Sequence, residues 1–305
     1  MKTPVALLIF KRPDTTEKVF DVIRQVKPPK LLVVADGPRT DQPGEAEKCV
    51  ATRAIIDRVD WDCEVLKNYS GINLGYGLRQ ATGISWVFDQ VETAIILEDD
   101  ILPHPTFFRF CEELLEKYRH DERIMHISAT NPLLGYKATE DSYYFSRQVI
   151  PWGWASWRRA FCYFDYKITK WPTIRDGNYL NNIIDQKRHV KYWNLIFEEI
   201  YISDKPYRWD YQWLFACWFQ SGLSIIPSVN LASNLGFGHV DATTMISAET
   251  EYANMPIEPI TFPLKHPPLI IRNTKADIFI DNNFYNPTLI TRAKAKIKRS
   301  INMFG

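Results

Sequence analysis

The sequence predicts an α/β fold, a mostly parallel central sheet flanked by helices with a smaller subregion beside it. Three observations predict this. Short apolar runs alternate with helix-patterned segments through the first hundred residues, the spacing of βαβ units. The run Ala94–Leu97 ends at once in Glu98, Asp99 and Asp100, as a buried strand would on reaching the carboxyl edge of a parallel sheet. Hydrophobic residues make up 46% of 305, enough to core one large domain or two small ones.

Taken in order, residues 4–10 (PVALLIF) read as the first strand. Asp14 and Glu17 have the spacing of a capping box, opening a helix through Val26 that Pro28 and Pro29 end. Residues 31–34 form a second strand, and Asp36 and Gly37 open the loop at its end. Pro43 starts a second helix, and residues 62–66 form a third strand. Gly71, Gly75 and Gly77 permit tight turns before a helix that carries Arg79 near its start.

The acidic strand follows, and Pro103 and Pro105 break the chain ahead of a helix over 107–118. Residues 124–128 make another strand, and 143–145 a strand at the sheet edge. Residues 149–161 (VIPWGWASWRRAF) pack three tryptophans around Gly153. Residues 178–199 show helical periodicity in polar surroundings, which suggests an inserted or lid helix. The second aromatic segment, 206–220, ends in a buried helix, and a strand over 223–227 delivers Asn230 and then NLGFGHVDATT at 234–244.

Composition excludes several classes. A formal charge of +1 argues against a dedicated nucleic-acid binder. Six scattered histidines argue against a histidine-built metal centre. The five cysteines lack zinc or CxxC spacing and read as core thiols of a reducing compartment. Only about six apolar residues precede Lys11, too few for a signal peptide or a membrane span. A cytoplasmic chain is expected. Residues 289–303, with five basic residues interleaved with apolar ones, have the pattern of a tail that lies on an anionic membrane, here the inner face; a solvated C-terminal helix has the same pattern.

The chemistry centres on the acids. Isolated buried carboxylates are costly, so acids at a strand end face a cleft, a cation or a hydrogen-bond network. Their oxygens suit Mg²⁺ or Mn²⁺, bound through one or two carboxylates together with phosphate oxygens. Phosphoryl transfer, hydrolysis and sugar transfer from a nucleotide would all use such a site, and composition does not separate them. A density of ten tryptophans and fifteen tyrosines, mainly between Tyr143 and Trp218, suits either an aromatic core or a surface that stacks on sugars.

VALLIFKRP at the start, LEDD at 97–100, PWGWASW at 151–157, RWDYQW at 208–213 and NLGFGH at 234–239 together resemble a nucleotide-sugar glycosyltransferase of the GT-A fold. The chain is most similar to the inverting N-acetylglucosaminyltransferase I type and related bacterial sequences, over roughly residues 4–245. The resemblance implies a Rossmann-like sheet with a nucleotide-sugar-binding half at 1–128, an acceptor-binding and catalytic half at 129–245, and a C-terminal extension at 246–305. It implies a UDP-sugar donor, Mn²⁺ or Mg²⁺, and a saccharide or glycolipid acceptor, in bacterial surface polysaccharide assembly.

Residue by residue, the resemblance makes Asp100 the metal ligand and sets Asp99 and Glu98 against the donor or the metal-bound waters. Asp36 would contact the base or ribose, with Arg12 and Arg79 near the nucleotide. Asp210 would be the general base; Tyr211 stands where relatives often carry a second acid. His239 would reach the diphosphate or the metal. Trp152, Gly153, Trp154 and Trp209, with Trp157 nearby, would form the acceptor side. Two other readings share the features: a nucleotidyltransferase with the same cation site, and a carbohydrate- or nucleotide-sugar-binding protein without turnover. Against the first, the N-terminus lacks the glycine-rich, basic loop that holds a triphosphate.

Overall fold

The structure is a computed structural model that describes residues 1–242 and 250–286. In chain order the elements are β1 (Val5–Ile9), α1 (Pro13–Val26), β2 (Lys30–Ala35), α2 (Glu45–Ala54), β3 (Glu64–Tyr69), α3 (Tyr76–Gln90), β4 (Thr93–Glu98), β5 (Ile101–Pro103) and α4 (Thr106–Lys117). Then come β6 (Ile124–Ser128), β7 (Tyr143–Ser146), β8 (Trp154–Trp157), α5 (Arg158–Phe161), α6 (Trp171–Asp176) and α7 (Lys187–Ile202). The remainder are α8 (Trp209–Phe219), β9 (Leu223–Pro227), β10 (Ala232–Asn234) and α9 (Thr274–Ile280), which runs into a π turn at Asp281–Tyr285.

Eight strands form one mixed sheet in the order β3-β2-β1-β4-β8-β6-β9-β7. The first four are parallel; β8 runs antiparallel to both β4 and β6, and β7 runs antiparallel to β9 at the edge. The expected α/β architecture is present, and β8, inserted between β4 and β6, interleaves strands from both sides of residue 128 in one sheet.

Parallel strands covered on both faces read as unbroken apolar runs, and β1 shows the consequence. Ala6 and Leu8 enter one core with Ile84 and Val87 of α3, while Val5, Leu7 and Ile9 enter the other with Val19, Phe20 and Ile23 of α1. The first core also holds Trp154, Trp193, Trp209 and Trp213, so most of the chain's aromatic mass is structural.

Four expectations change. Helix α1 begins at Pro13, whose fixed φ suits a first helical position, and no side chain caps it; Asp14 lies inside the first turn. WASW is a buried central strand, missed because two tryptophans and a glycine obscure its alternation. The helix expected over 178–199 as inserted or lid is α7, which starts only at Lys187 and buries His189, Trp193, Phe197 and Ile200 against the core. Cys49, Cys111 and Cys217 are buried thiols as expected, but Cys162 is exposed.

Residues 250–264 pack onto the domain: Tyr252, Met255, Ile260 and Leu264 join the second core. The basic tail at 289–303 lies outside the described residues. Among the described residues no helix is long and apolar enough to cross a membrane.

Candidate functional site

The strand order reverses between β1 and β4, and at such a switch point an open α/β sheet leaves a crevice beyond its carboxyl ends. Here the chain leaving β1 carries Phe10, Lys11 and Arg12, β2 delivers Asp36, and β4 delivers the three acids. These residues line a cleft of about 240 Å³, closed on other sides by Tyr76, Gln80, Trp152, Tyr207, Asn234 and Gly236.

Arg12 organises the acids. Its guanidinium bridges Asp99 and Asp100, with Nη1 2.7 Å from Asp100 Oδ2. Asp99 also accepts the Phe10 N–H at 3.1 Å, and Glu98 accepts from Gln80 Nε2 at 3.1 Å. Burial opposes the charge on Arg12, but Asp99 and Asp100 outweigh it and hold its pKa above the usual value. Burial raises the Glu98 carboxyl well above the ordinary range, and Asp100 and Asp99 add to the effect. Asp99 is also raised by burial, with Arg12 pulling against it.

Asp100 is fixed from a second direction. Its carbonyl accepts the Leu235 N–H at 2.7 Å, where β5 and β10 pair. A Cβ on Gly236 would stand 2.2 Å from Asp100 Oδ2, so this position must be glycine for the carboxylate to sit where it does.

Among the described residues no group of three or more His, Cys, Asp or Glu is placed to hold a metal. The residues present fit a hard cation only in one form: bound through the Asp100 carboxylate, with most ligands supplied by phosphate oxygens and water.

On the other wall, Asp36 spends its oxygens on the frame. Oδ1 accepts the N–H groups of Gly37 and Leu74, both at 2.9 Å, and Oδ2 accepts that of Gly75 at 3.1 Å. Burial raises its pKa against those bonds. Arg79 is drawn inward as well: Nε donates to the Ala35 carbonyl at 3.2 Å and Nη2 to Asn68 Oδ1 at 2.8 Å. It ties the ends of β2 and β3 together and borders the cleft with the rest of its side chain.

Asp210 lies in the first turn of α8. Burial raises its pKa, Arg208 partly offsetting this, and its charge acts on Glu98 and on Tyr76 at the cleft wall. The expected aromatic acceptor surface is not assembled from tryptophans. Trp209 is fully buried, donating Nε1–H to Tyr76 Oη at 3.2 Å and stacking on Trp154 at 5.7 Å. Trp154 stacks on His126 inside the core, and Trp157 is buried with its Nε1–H on the Leu115 carbonyl. Gly153, at φ +73°, packs its Cα toward Ala129, where a Cβ would meet the Ala129 methyl at 3.0 Å. Of this group only Trp152 reaches the cleft.

His239 is also placed differently. Its Nε2 lies 3.0 Å from Asp14 Oδ2, and its Nδ1 accepts the Asp241 N–H at 3.0 Å, so the ring ties the 236–241 loop to α1. Asp241, rather than His239, borders the cleft. The contributions of Gln80, Tyr76, Tyr207 and Gly236 were not found from sequence. A lone Gln or Tyr in a helix or loop carries no local signal, whereas Gly236, in a short glycine-containing motif after a strand, did.

No family profile matches the chain, and no curated protein does. Solved structures resemble it loosely. A 4-diphosphocytidyl-2C-methyl-D-erythritol synthase from Anaerococcus prevotii is 11% identical over 74% of this chain and 88% of its own, with a TM-score of 0.37. Mouse xyloside xylosyltransferase 1 is 11% identical over 70% and 81%, TM-score 0.33. A UDP-glucose pyrophosphorylase in complex with UDP-glucose is 14% identical over 48% and 62%, TM-score 0.27. Likeness at this level fixes neither chemistry nor residue roles.

Proposed function

We propose that the chain is an inverting glycosyltransferase that moves a sugar from a nucleoside-diphosphate donor, with UDP the preferred nucleotide, to a hydroxyl of a saccharide or glycolipid. The observation that carries this reading is the convergence of Arg12, Asp36, Glu98, Asp99 and Asp100 at the reversal between β1 and β4, with Asp210 close enough to act electrostatically on Glu98.

In this reading the Asp36-braced loop and the apolar floor of Leu8 and Val34 receive the nucleoside, and Arg12 lies toward the diphosphate. Asp210 accepts the proton of the acceptor hydroxyl as that oxygen bonds to the sugar C1 and the C1–O bond to the diphosphate breaks on the opposite face. Burial of Asp210 favours this, because a carboxylate with a raised pKa is a stronger base than an exposed one. A cation bound at Asp100 would supply neutralisation of charge on the departing diphosphate. Trp152 closes the cleft beside Gly236.

Calorimetry of nucleoside diphosphates and nucleotide sugars, with and without Mn²⁺, on wild type and Asp100→Ala, tests the reading. Binding of a UDP-sugar that needs both Mn²⁺ and Asp100 is expected. Absence of nucleotide binding, or binding indifferent to both, would leave the acidic cluster a purely structural feature.

A further inference from the structure

With Trp154, Trp157 and Trp209 buried, the exposed aromatic surface at the cleft lies elsewhere. It is Tyr207, 46% exposed, whose ring lies 5.5 Å from that of Tyr76 at an interplanar angle of 42°. Both rings line the cleft, on the wall formed by α3 and the segment that leads into α8.

The backbone around Tyr207 is held firmly. Tyr166 Oη donates to the Pro206 carbonyl at 2.8 Å, and Lys167 Nζ donates to that of Asp204 at 2.7 Å. Gly77 of α3 packs so closely that a Cβ there would stand 2.2 Å from the Pro206 oxygen and 2.7 Å from that of Tyr207. A glycine is therefore required at the second residue of α3 to let the Tyr207 backbone reach the cleft wall. From the other side, Tyr76 Oη accepts from Trp209, which directly precedes Asp210. The exposed ring, its backing ring and the carboxylate are thus linked through one buried indole.

We propose that Tyr207, backed by Tyr76, is the stacking face of a pyranose-binding subsite that seats the acceptor saccharide beside Asp210. The proposal rests on the transferase reading for the word acceptor, but the subsite itself does not need it. A pyranose presents C–H groups on its ring face and hydroxyls at its rim. A tyrosine is matched to it, with an apolar ring whose electron-rich face attracts those C–H groups and a phenol that stays wet at the tip. A ring fixed in place loses little side-chain freedom on binding, which favours a weak, hydrated ligand such as a sugar.

The test is a titration of the full chain, followed by saturation-transfer NMR, with the methyl and octyl β-glycosides of glucose, galactose and N-acetylglucosamine. Wild type, Tyr207→Phe and Tyr207→Ala are compared, with UDP binding measured in parallel. Tyr207→Ala is expected to weaken the best glycoside about tenfold by removing most of the stacked apolar area. Tyr207→Phe should keep it, and UDP affinity should fall by less than glycoside affinity in Tyr207→Ala. Because the side chain is only about half covered, thermal unfolding of Tyr207→Phe should match wild type and that of Tyr207→Ala should fall only slightly.

Binding of methyl glycosides identifies a free saccharide ring as sufficient. Binding of octyl glycosides alone, with the same dependence on Tyr207, identifies a lipid-linked one. Glycoside affinity untouched by Tyr207→Ala, no glycoside binding at all, or an equal loss of UDP binding would each overturn the subsite. Failure of UDP to bind while glycosides still depend on Tyr207 would instead overturn the transferase reading and leave the subsite standing.

Discussion

Arg12 Nη1 lies 2.7 Å from Asp100 Oδ2, the same carboxylate oxygen that Gly236, just past β10, approaches. The acid most suited to bind a cation is therefore already held by a fixed positive charge and by a backbone that leaves it no slack. A carboxylate so placed is pre-organised, and its geometry rather than its charge alone should control ligand affinity.

Gly236→Ala isolates that geometry. The added methyl must push the Asp100 carboxylate away from Arg12, because 2.2 Å is far inside contact distance. Calorimetric affinity for UDP-sugar with Mn²⁺ should fall at least about tenfold. The melting temperature should fall only modestly, since the displaced atoms border the cleft and not the core. Unchanged affinity would mean that the Asp100 carboxylate does not take part in binding.

Asp210→Asn separates transfer from donor binding. Loss of a general base lowers turnover by about 10² to 10⁴, while UDP-sugar affinity should stay at the wild-type level. Burial raises the Asp210 pKa, and the base acts only when ionised. The acid limb of the wild-type kcat/KM profile should therefore lie above the ordinary aspartate range, activity falling as pH drops through it. Substantial turnover by Asp210→Asn would assign proton removal to another group.

His126 makes the fold sensitive to acid. Buried on β6 against α8, it accepts the Trp213 Nε1–H on Nδ1 and faces the Ile150 carbonyl with Nε2, an arrangement for the neutral ring. Burial pushes its pKa down to about 3, against 6.5 for an unperturbed histidine. The unfolded chain binds this proton below pH 6.5 and the folded chain does not. The stabilisation is thus complete above 6.5 and is lost as pH falls toward 3, at about 1.4 kcal/mol per pH unit. Urea midpoints measured between pH 7 and 5 should show this slope in wild type and a shallower one in His126→Gln. Parallel slopes would show that other groups dominate the acid response.

Much of the frame was legible in the chain. The parallel half follows from apolar runs covered on both faces, which leave an unambiguous trace in β1, β2 and β4. That Glu98, Asp99, Asp100, Arg12 and Asp36 share one edge was legible for a related reason: each closes a recognisable strand or follows it within a few residues, and strands of one parallel sheet deliver their ends to the same edge. Buried α8 was equally clear, because it is apolar on every side.

What only the tertiary structure decided was the direction in which side chains point. Tryptophan, arginine and histidine each serve as core or cleft residue depending on neighbours that are distant in sequence. Trp154 turns inward because β8 inserts into the middle of the sheet, a pairing with β4 and β6 that nothing local encodes. Arg79 points at the ends of β2 and β3, and His239 at Asp14, because only the folded chain sets those partners within hydrogen-bond reach. Tyr207 faces the cleft because Gly77, some 130 residues earlier, leaves room for its backbone. Periodicity along the chain fixes which elements form and which edge carries the acids; the long-range packing of one element on another fixes which side chains are left to meet a ligand.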